Sequence, residues 1–271
     1  MNHIAIQGIK GSYHEQAAQL LFGQARMRAC DSFDELTTAV KTGEVDGGVM
    51  AIGNSIAGSI LPNYSLIHNN NLWISAEVYI PIHHHLMALP GQSLEDIVEV
   101  QSHPMALLQC KQYFKNYPHI KLVETDDTAA AAARILKEGK KGIAAIASKQ
   151  AAQLYDLAIL SDAIQENTDN MTRFMVVHKE RKKVANTDKA TLVFTTRHEA
   201  GSLAKVLTLF AANEMNLTKI LSIPIVAEPF MFSFVVDVSY GNEDTFNKVA
   251  DQLIPLTGSL SILGMYKSHT I

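Results

Sequence analysis

The chain has 271 residues, with 23 lysines and arginines against 27 aspartates and glutamates, so its formal net charge is −4. It has no long basic run to follow a phosphate backbone, which argues against nucleic-acid binding. No apolar run approaches the roughly 18 residues of a membrane span. The first residues lack a secretory signal, which favours a cytoplasmic protein. Cys30 and Cys110 are too few for a disulfide framework and lack the spacing of metal ligands, so we expect buried free thiols.

The first part of the chain alternates short strands with helices. Residues 3–7 read as a strand, and Ser12 then begins a helix. Ser32, with a glutamate three residues later, is typical of a capping box at the start of a second helix. Residues 45–52 follow as a short buried strand. The order is strand, helix, helix, strand.

A similar alternation recurs further along the chain. Residues 78–89 read as strand, and Pro104 suits the first turn of a helix. Asp126 or Asp127 can cap another helix, after which residues 142–147 read as strand. The alternation favours an α/β fold with parallel-rich sheets, in which ligands bind beyond the carboxyl ends of strands.

A polar, charged stretch at residues 181–188 reads as a linker to a second domain. The strands predicted beyond it cover residues 190–196, 217–226, 230–238 and 260–266, and the helices lie near 203–210 and 244–253. This βαββαβ order is that of a ferredoxin-like sandwich.

Three consecutive histidines, His83, His84 and His85, are the grouping that most suggests a metal site. On a strand, His83 and His85 would share one face and His84 the other, so at most two could bind one ion, and no carboxylate is adjacent in sequence. The chain also lacks a P-loop and a nucleophile elbow. We therefore expect neither a metal nor a cofactor.

Residues 170–174, Asn-Met-Thr-Arg-Phe, bring an amide, a hydroxyl and a guanidinium together beside an apolar strand. Arginine can bind a carboxylate through two parallel N–H groups, while threonine and asparagine orient oxygens or deliver a proton. The segment therefore predicts a carboxylate site. An edge-strand arginine flanked by turn residues would give the same pattern.

Ordered motifs across the chain resemble those of prephenate dehydratases. They are GIKGSYHEQAA at residues 8–18, SHPMALLQC at 102–110, ASKQAAQLYDL at 147–157 and NMTRF at 170–174. The C-terminal unit resembles the ACT regulatory domain that follows the catalytic domain in this family, with matches at Gly201, Leu203, Leu207, Phe210, Asn216 and Leu217. No chorismate mutase-like segment precedes residue 1, so a monofunctional enzyme is expected.

The resemblance implies a domain organisation. A catalytic domain at residues 1–180 would have two periplasmic-binding-protein-like α/β lobes, the second at about 78–163. A linker at 181–188 would lead to a ferredoxin-like ACT domain at 189–271. Because ACT domains commonly pair side by side, a homodimer or homotetramer is also implied.

The resemblance further implies a lyase that converts prephenate into phenylpyruvate, carbon dioxide and water in L-phenylalanine biosynthesis. Thr172 is the implied proton donor to the departing hydroxyl. The implied substrate-binding residues are Ser12, Asn54, Ser55, Ser102, Gln109, Arg173 and Phe174, of which Arg173 either binds a carboxylate or buttresses Thr172. L-phenylalanine is the implied effector, at Gly201, Ser202, Leu203, Asn216 and Leu217.

The chain departs from the family pattern at two places. Gly53 stands where relatives usually carry glutamate, so any contact made by that carboxylate in the active site is absent. Leu221-Ser222-Ile223-Pro224 replaces the usual Glu-Ser-Arg-Pro, so we expect weakened feedback by phenylalanine. Two alternatives stay open on these motifs: an arogenate dehydratase, and a non-catalytic sensor of amino acids or carboxylates.

Overall fold

The computed structural model describes residues 2–225, 228 and 231–269, and it shows an α/β protein. The first elements are β1 (His3–Gln7), α1 (Tyr13–Phe22), β2 (Arg26–Cys30), α2 (Phe33–Thr42), β3 (Gly47–Asn54), β4 (Gly58–Ser59), α3 (Leu61–Asn69) and β5 (Trp73–Pro81). Next come β6 (His85–Ala88), β7 (Glu99–Ser102), α4 (Pro104–Gln109), α5 (Lys111–Phe114), β8 (Lys121–Glu124), α6 (Thr128–Glu138), β9 (Ile143–Ala147), α7 (Lys149–Leu154), β10 (Ala158–Ser161) and β11 (Met171–His178). The last are β12 (Lys189–Thr195), α8 (Ser202–Ala212), β13 (Asn216–Pro224), β14 (Phe232–Ser239), α9 (Glu243–Leu253) and β15 (Ser259–Tyr266).

The predicted helix starts are confirmed at their caps. The Ser12 hydroxyl accepts the Glu15 N–H at 3.2 Å, and the Asp127 carboxylate accepts the Ala130 N–H at 2.8 Å. These bonds satisfy N–H groups that the first turn of a helix leaves without a backbone partner. Pro104 is the first residue of α4, as expected.

The predicted strands needed more correction than the helices. Residues 78–89 are not one strand, because β5 ends at Pro81 and β6 begins at His85. Strand β2, Arg-Met-Arg-Ala-Cys, was not predicted, since it lacks the apolar alternation of a half-buried strand. Val226 and Phe230, at the ends of two predicted strands, lie outside the described residues.

Two compact units divide the chain. Unit 1 comprises Met1–Leu36, Val49–Ser59 and Tyr79–Phe174, and unit 2 comprises Thr37–Gly48, Ile60–Val78 and Met175–Ile271. Elements α2, β3, β5 and β11 contribute residues to both units.

Unit 1 contains a five-stranded sheet in the order β10-β6-β9-β7-β8. Strand β7 pairs in parallel with β8 and β9, whereas β6 pairs antiparallel with β9 and β10, so the sheet is mixed. Strands β1 and β2 form a further parallel pair. Helices α4 and α6 pack on the five-stranded sheet through buried side chains that include Ala106, Leu107, Ala132 and Ile135. Both cysteines are buried free thiols, as predicted.

Unit 2 contains the order β12-α8-β13-β14-α9-β15, with strands arranged β13-β14-β12-β15. Strand β12 pairs antiparallel with β14 and β15, and β14 pairs antiparallel with β13. The core between this sheet and its two helices includes Leu192, Phe194, Val206, Phe210, Val236, Phe246 and Leu253. The predicted βαββαβ order is therefore present.

A buried ion pair also lies in unit 2. The Lys189 ammonium is 3.0 and 3.2 Å from the two carboxylate oxygens of Glu77, whose side chain is completely buried. The backbone N–H of His269 donates to the same carboxylate at 3.1 Å. Strand β5 carries Glu77, so residues distant in sequence meet at this pair.

Strand β15 pairs in parallel with β5 at Gly264, whose partner is Ile74. A Cβ at Gly264 would collide with the Ile74 carbonyl oxygen, so Gly264→Ala is expected to destabilise the protein by about 2–3 kcal/mol, as overpacking does. The midpoint of urea unfolding measures this change. Gly241→Ala is the matched control, because a Cβ there meets nothing within 4 Å. Equal midpoints for the two variants would contradict the expectation.

Within the part of the chain that the structure describes, no helix combines the length and hydropathy needed to cross a membrane.

Candidate active site

The site residues of unit 1 meet where β3 ends and β11 begins. The Ser55 N–H donates to the Met171 carbonyl oxygen at 2.8 Å, and the Met171 N–H donates to the Ser55 hydroxyl oxygen at 2.9 Å. The Ser55 hydroxyl in turn donates to the Asp169 carbonyl oxygen at 3.2 Å. Ser55 therefore fixes the position of β11 rather than offering its proton to a ligand.

The Asn54 side chain has one orientation that satisfies its neighbours. Its Oδ1 accepts the N–H groups of Ile56 and Ala57, both at 2.9 Å, so the amide nitrogen must face the other way. That nitrogen lies 2.6 Å from Asn170 Oδ1 and 3.0 Å from Thr172 Oγ1. Because an amide NH2 can only donate, the Thr172 oxygen accepts here.

The Thr172 hydroxyl is consequently left with its own proton to donate. Thr172 is half-buried, and no acceptor for that proton is found among the described residues. The bond from Asn54 also withdraws electron density from the oxygen, which favours donation. A hydroxyl in this state can hydrogen-bond to a departing oxygen.

Gln109 and Asn170 extend the same network. The amide nitrogen of the completely buried Asn170 donates to Gln109 Oε1 at 2.8 Å, and His84 Nε2 lies 2.9 Å from the same oxygen. The hydrogen bonds thus join Thr172, Asn54, Asn170, Gln109 and His84. Asn170 belongs to the same sequence motif as Thr172, at residues 170–174. The place of His84 in the network has no signal in the sequence.

Arg173 and Phe174 are held by neighbours on the two faces of β11. Successive residues of a strand face opposite sides, so Arg173 lies on the other face from Thr172. Its side chain is buried, with the guanidinium carbon 5.9 Å from the Tyr79 ring centroid. This position favours the buttressing role over contact with substrate. Phe174 is 1% exposed and packs edge-on against His14, with ring centroids 4.9 Å apart.

His14 is a neutral packing partner in this arrangement. Burial lowers its pKa to about 3, and its Nε2 accepts the Ala51 N–H at 3.3 Å. It is therefore not a candidate acid at neutral pH.

Two predicted serines make structural hydrogen bonds elsewhere in unit 1. Ser12 caps α1, and the completely buried Ser102 donates to the Ile146 carbonyl oxygen at 2.6 Å. Among the described residues, the bonds found for these two hydroxyls do not lead to the Thr172 network. Gly53, where the family resemblance led us to expect glutamate, is buried in β3 immediately before Asn54, so a side chain there would face away from that of Asn54.

The histidine triplet differs from the sequence-based expectation. His83 and His84 lie between β5 and β6 rather than on a strand, and a carboxylate is present, since Asp162 Oδ1 is 2.9 Å from His85 Nδ1. The two partners are 77 positions apart in sequence, which concealed this contact. Within residues 2–225, 228 and 231–269, no three histidine, cysteine, aspartate or glutamate side chains are placed to hold one metal ion.

Unit 2 contains the predicted effector residues. Gly201 has a φ of 81° and caps α8, Ser202 is buried, and Leu203 packs on the core. Asn216 begins β13 with an exposed side chain, and Leu217 packs partly into the core.

The chain is similar to known proteins over nearly its whole length. The family model described as prephenate dehydratase matches residues 4–182. The arogenate dehydratase/prephenate dehydratase 1 of Arabidopsis thaliana is 36% identical over 271 residues, covering 99% of this chain and 67% of the relative. The bifunctional chorismate mutase/prephenate dehydratase of Aquifex aeolicus is 34% identical over 266 residues, covering 97% of this chain and 73% of the relative.

Solved structures share the fold. The prephenate dehydratase of Arthrobacter aurescens, solved with L-Phe, gives a TM-score of 0.88 at 26% identity and covers 98% of this chain and 90% of its own. GqqA, described as a novel type of quorum quenching acylase, gives 0.89 at 27% identity and covers 98% of each chain.

These matches place the chain among the carbon–oxygen lyases. More narrowly, it belongs to the prephenate dehydratase family, and the resemblance carried by its motifs is confirmed. Its activity is that of a prephenate dehydratase.

Proposed function

We propose that prephenate is dehydrated and decarboxylated at the Thr172 network, with the Thr172 hydroxyl as the donor to the departing oxygen. The observation that carries this proposal is the bond from Asn54 to Thr172, because it leaves the hydroxyl proton free. As the ring carboxylate leaves as carbon dioxide, its bonding electrons enter the ring, the C4–O bond breaks, and the ring becomes aromatic.

Thr172 need not become an anion in this reaction. A threonine hydroxyl is a weak acid, so it acts through a strengthening hydrogen bond or a concerted transfer as the C4 oxygen gains charge. The departing hydroxide takes up one proton to become water. If Thr172 gives that proton, solvent water returns one to its oxygen.

Gln109 is proposed to bind the substrate through its amide nitrogen. Both bonds to its oxygen come from within the network, and the nitrogen pairs with none of the described residues. It therefore has two N–H groups to offer an anionic or hydroxyl-bearing ligand. Ser12, Ser55, Ser102, Arg173 and Phe174 then act indirectly, by shaping the strands and turns around the site.

The proposal is tested by adding prephenate to the purified protein and following phenylpyruvate by its ultraviolet absorbance. The same assay with arogenate separates the two dehydratase activities. Turnover of prephenate supports the proposal. Turnover of arogenate alone favours the arogenate dehydratase, and binding without turnover of either favours the sensor.

We also propose a catalytic domain at residues 1–180 with two periplasmic-binding-protein-like lobes, a linker at 181–188 and an ACT-like regulatory domain at 189–271. The family match to residues 4–182 and the βαββαβ order from β12 onward support this division. A homodimer or homotetramer is part of the proposal, and light scattering after size exclusion measures it.

L-phenylalanine is the proposed effector, since a relative of 26% identity was solved with it. It is expected to bind saturably near Gly201 and Asn216, with an affinity lowered by Leu221 and Ile223. Calorimetric titration should show binding that Gly201→Val abolishes and that Thr172→Ala preserves.

Gly201→Val needs a second probe, because valine is strained at a φ of 81°. The exposed Asn216 can be changed to alanine without that strain, and weaker binding in this variant is also expected. Absence of binding to the wild-type protein at millimolar phenylalanine would rule out the effector.

A further inference from the structure

The ring of His84 is fixed by its surroundings in unit 1. His84 is 4% exposed, and its backbone N–H donates to Gln165 Oε1 at 2.9 Å. Its ring contacts Tyr13 edge-on, with centroids 6.3 Å apart, and the Tyr13 hydroxyl donates to the His83 carbonyl oxygen at 2.6 Å. With the residues that the structure describes, the ring makes one hydrogen bond, the 2.9 Å contact between Nε2 and Gln109 Oε1.

The direction of that bond follows from the far end of the network. Backbone N–H groups fix Asn54 Oδ1 as an acceptor, so the Asn54 nitrogen donates to Asn170. The Asn170 nitrogen then donates to Gln109 Oε1, which is therefore an acceptor. His84 Nε2 must carry a proton to bond to that oxygen.

The tautomer of His84 is thereby assigned. Burial lowers its pKa to about 4, so at neutral pH the ring holds a single proton, on Nε2. The other nitrogen, Nδ1, is buried and has no hydrogen-bond partner among the described residues. An unsatisfied buried acceptor is costly, so the ring is poorly explained as packing alone.

We infer that His84 is a positioning residue for this reaction. It acts on Thr172 through Gln109, Asn170 and Asn54. The inference rests on the proposed function of the Thr172 network. With two donors on its oxygen, the Gln109 amide cannot rotate without losing a bond, so its nitrogen stays available to the substrate. The Gln109 side chain is half-exposed and has three rotatable bonds. Without the His84 N–H, the only hydrogen bond from a described residue that holds its amide oxygen is the one from Asn170.

A matched pair of substitutions tests this role. In His84→Gln, the amide nitrogen reaches about as far as the histidine Nε2, whereas in His84→Asn it falls short by about one bond. His84→Asn is expected to lower kcat for prephenate by about 10- to 100-fold, the scale of a 1 Å misplacement, with KM changed less than about threefold. His84→Gln should retain kcat within about threefold of wild type.

A mutant cycle separates positioning from general stability. If His84 acts through Gln109, His84→Asn should have almost no further effect on kcat in a Gln109→Ala background. The thermal midpoints of the variants are recorded alongside. Three results would each overturn the inference. One is a wild-type kcat in His84→Asn, and another is an additive effect of His84→Asn and Gln109→Ala on kcat. The third is an equal loss of kcat in His84→Asn and His84→Gln.

A measurement on the wild-type protein keeps the inference testable if the variants do not fold. Nitrogen-15 spectra of the histidine rings report which nitrogen is protonated, independently of activity. We expect His84 to show a protonated Nε2 and an unprotonated Nδ1 from pH 5.5 to 8.5. The opposite tautomer would overturn the inference, whereas failure of the wild-type protein to turn over prephenate would overturn the proposed function first.

Discussion

Thr172→Ala is expected to lower kcat for prephenate by about 10²- to 10⁴-fold while changing KM little. The hydroxyl accepts a bond from Asn54 at 3.0 Å, and its proton has no acceptor among the described residues. A bond that forms mainly as the C4–O bond breaks stabilises the transition state far more than the bound substrate. Its loss therefore appears in kcat.

Thr172→Ser is the control for this prediction, because it keeps the hydroxyl and removes only a methyl group. It should retain most of the wild-type kcat, and both variants should unfold at nearly the wild-type temperature. Phenylpyruvate absorbance gives the rates. A folded Thr172→Ala enzyme with wild-type turnover would remove Thr172 from the mechanism.

Lys189→Met is expected to destabilise the protein by about 3–5 kcal/mol, because it removes the Lys189 ammonium from beside the completely buried Glu77 carboxylate. The two side chains are 8% and 0% exposed, and their atoms approach to 3.0 Å. The His269 backbone N–H, which also donates to this carboxylate, carries no net charge that could replace the ammonium. Urea unfolding, followed by circular dichroism, measures the loss.

Lys140→Met provides a matched control at the same interatomic distance. Lys140 lies 3.0 Å from Glu138, but the two side chains are 64% and 38% exposed. Exposed pairs contribute less than about 1 kcal/mol, so this variant should unfold close to the wild-type midpoint. Adding Glu77→Leu to Lys189→Met should restore much of the stability, since both charges are then removed. Equal effects of the two lysine substitutions would contradict the argument.

Local features were predictable from the sequence because they depend on neighbouring residues. Ser12 and Asp127 each cap a helix that begins at the next residue, and the spacing of a cap and its N–H partner is three positions. Thr172 was recognisable from its motif. The strand Arg26–Cys30 was not, because its charged residues hide the period of two that marks a half-buried strand.

Much of the candidate site could not be predicted, because its contacts join distant residues. Gln109 and Asn170 are 61 positions apart, and His84 and Gln109 are 25 apart. Nothing in the sequence near His84 indicates an amide oxygen as its partner. Arg173 is next to Thr172 in sequence but lies on the other face of the strand in space, and its role stays a prediction.

The bond between Asn54 and Thr172 also determines when the site can form. It joins residues 118 positions apart, and contacts of this span close a long loop and form late in folding. During synthesis, Asn54 leaves the ribosome well before its partner on β11 exists. The Thr172 hydroxyl is oriented only after β11 has paired. On the function proposed above, the onset of prephenate turnover during refolding therefore reports the completion of unit 1 and not the formation of its earlier strands.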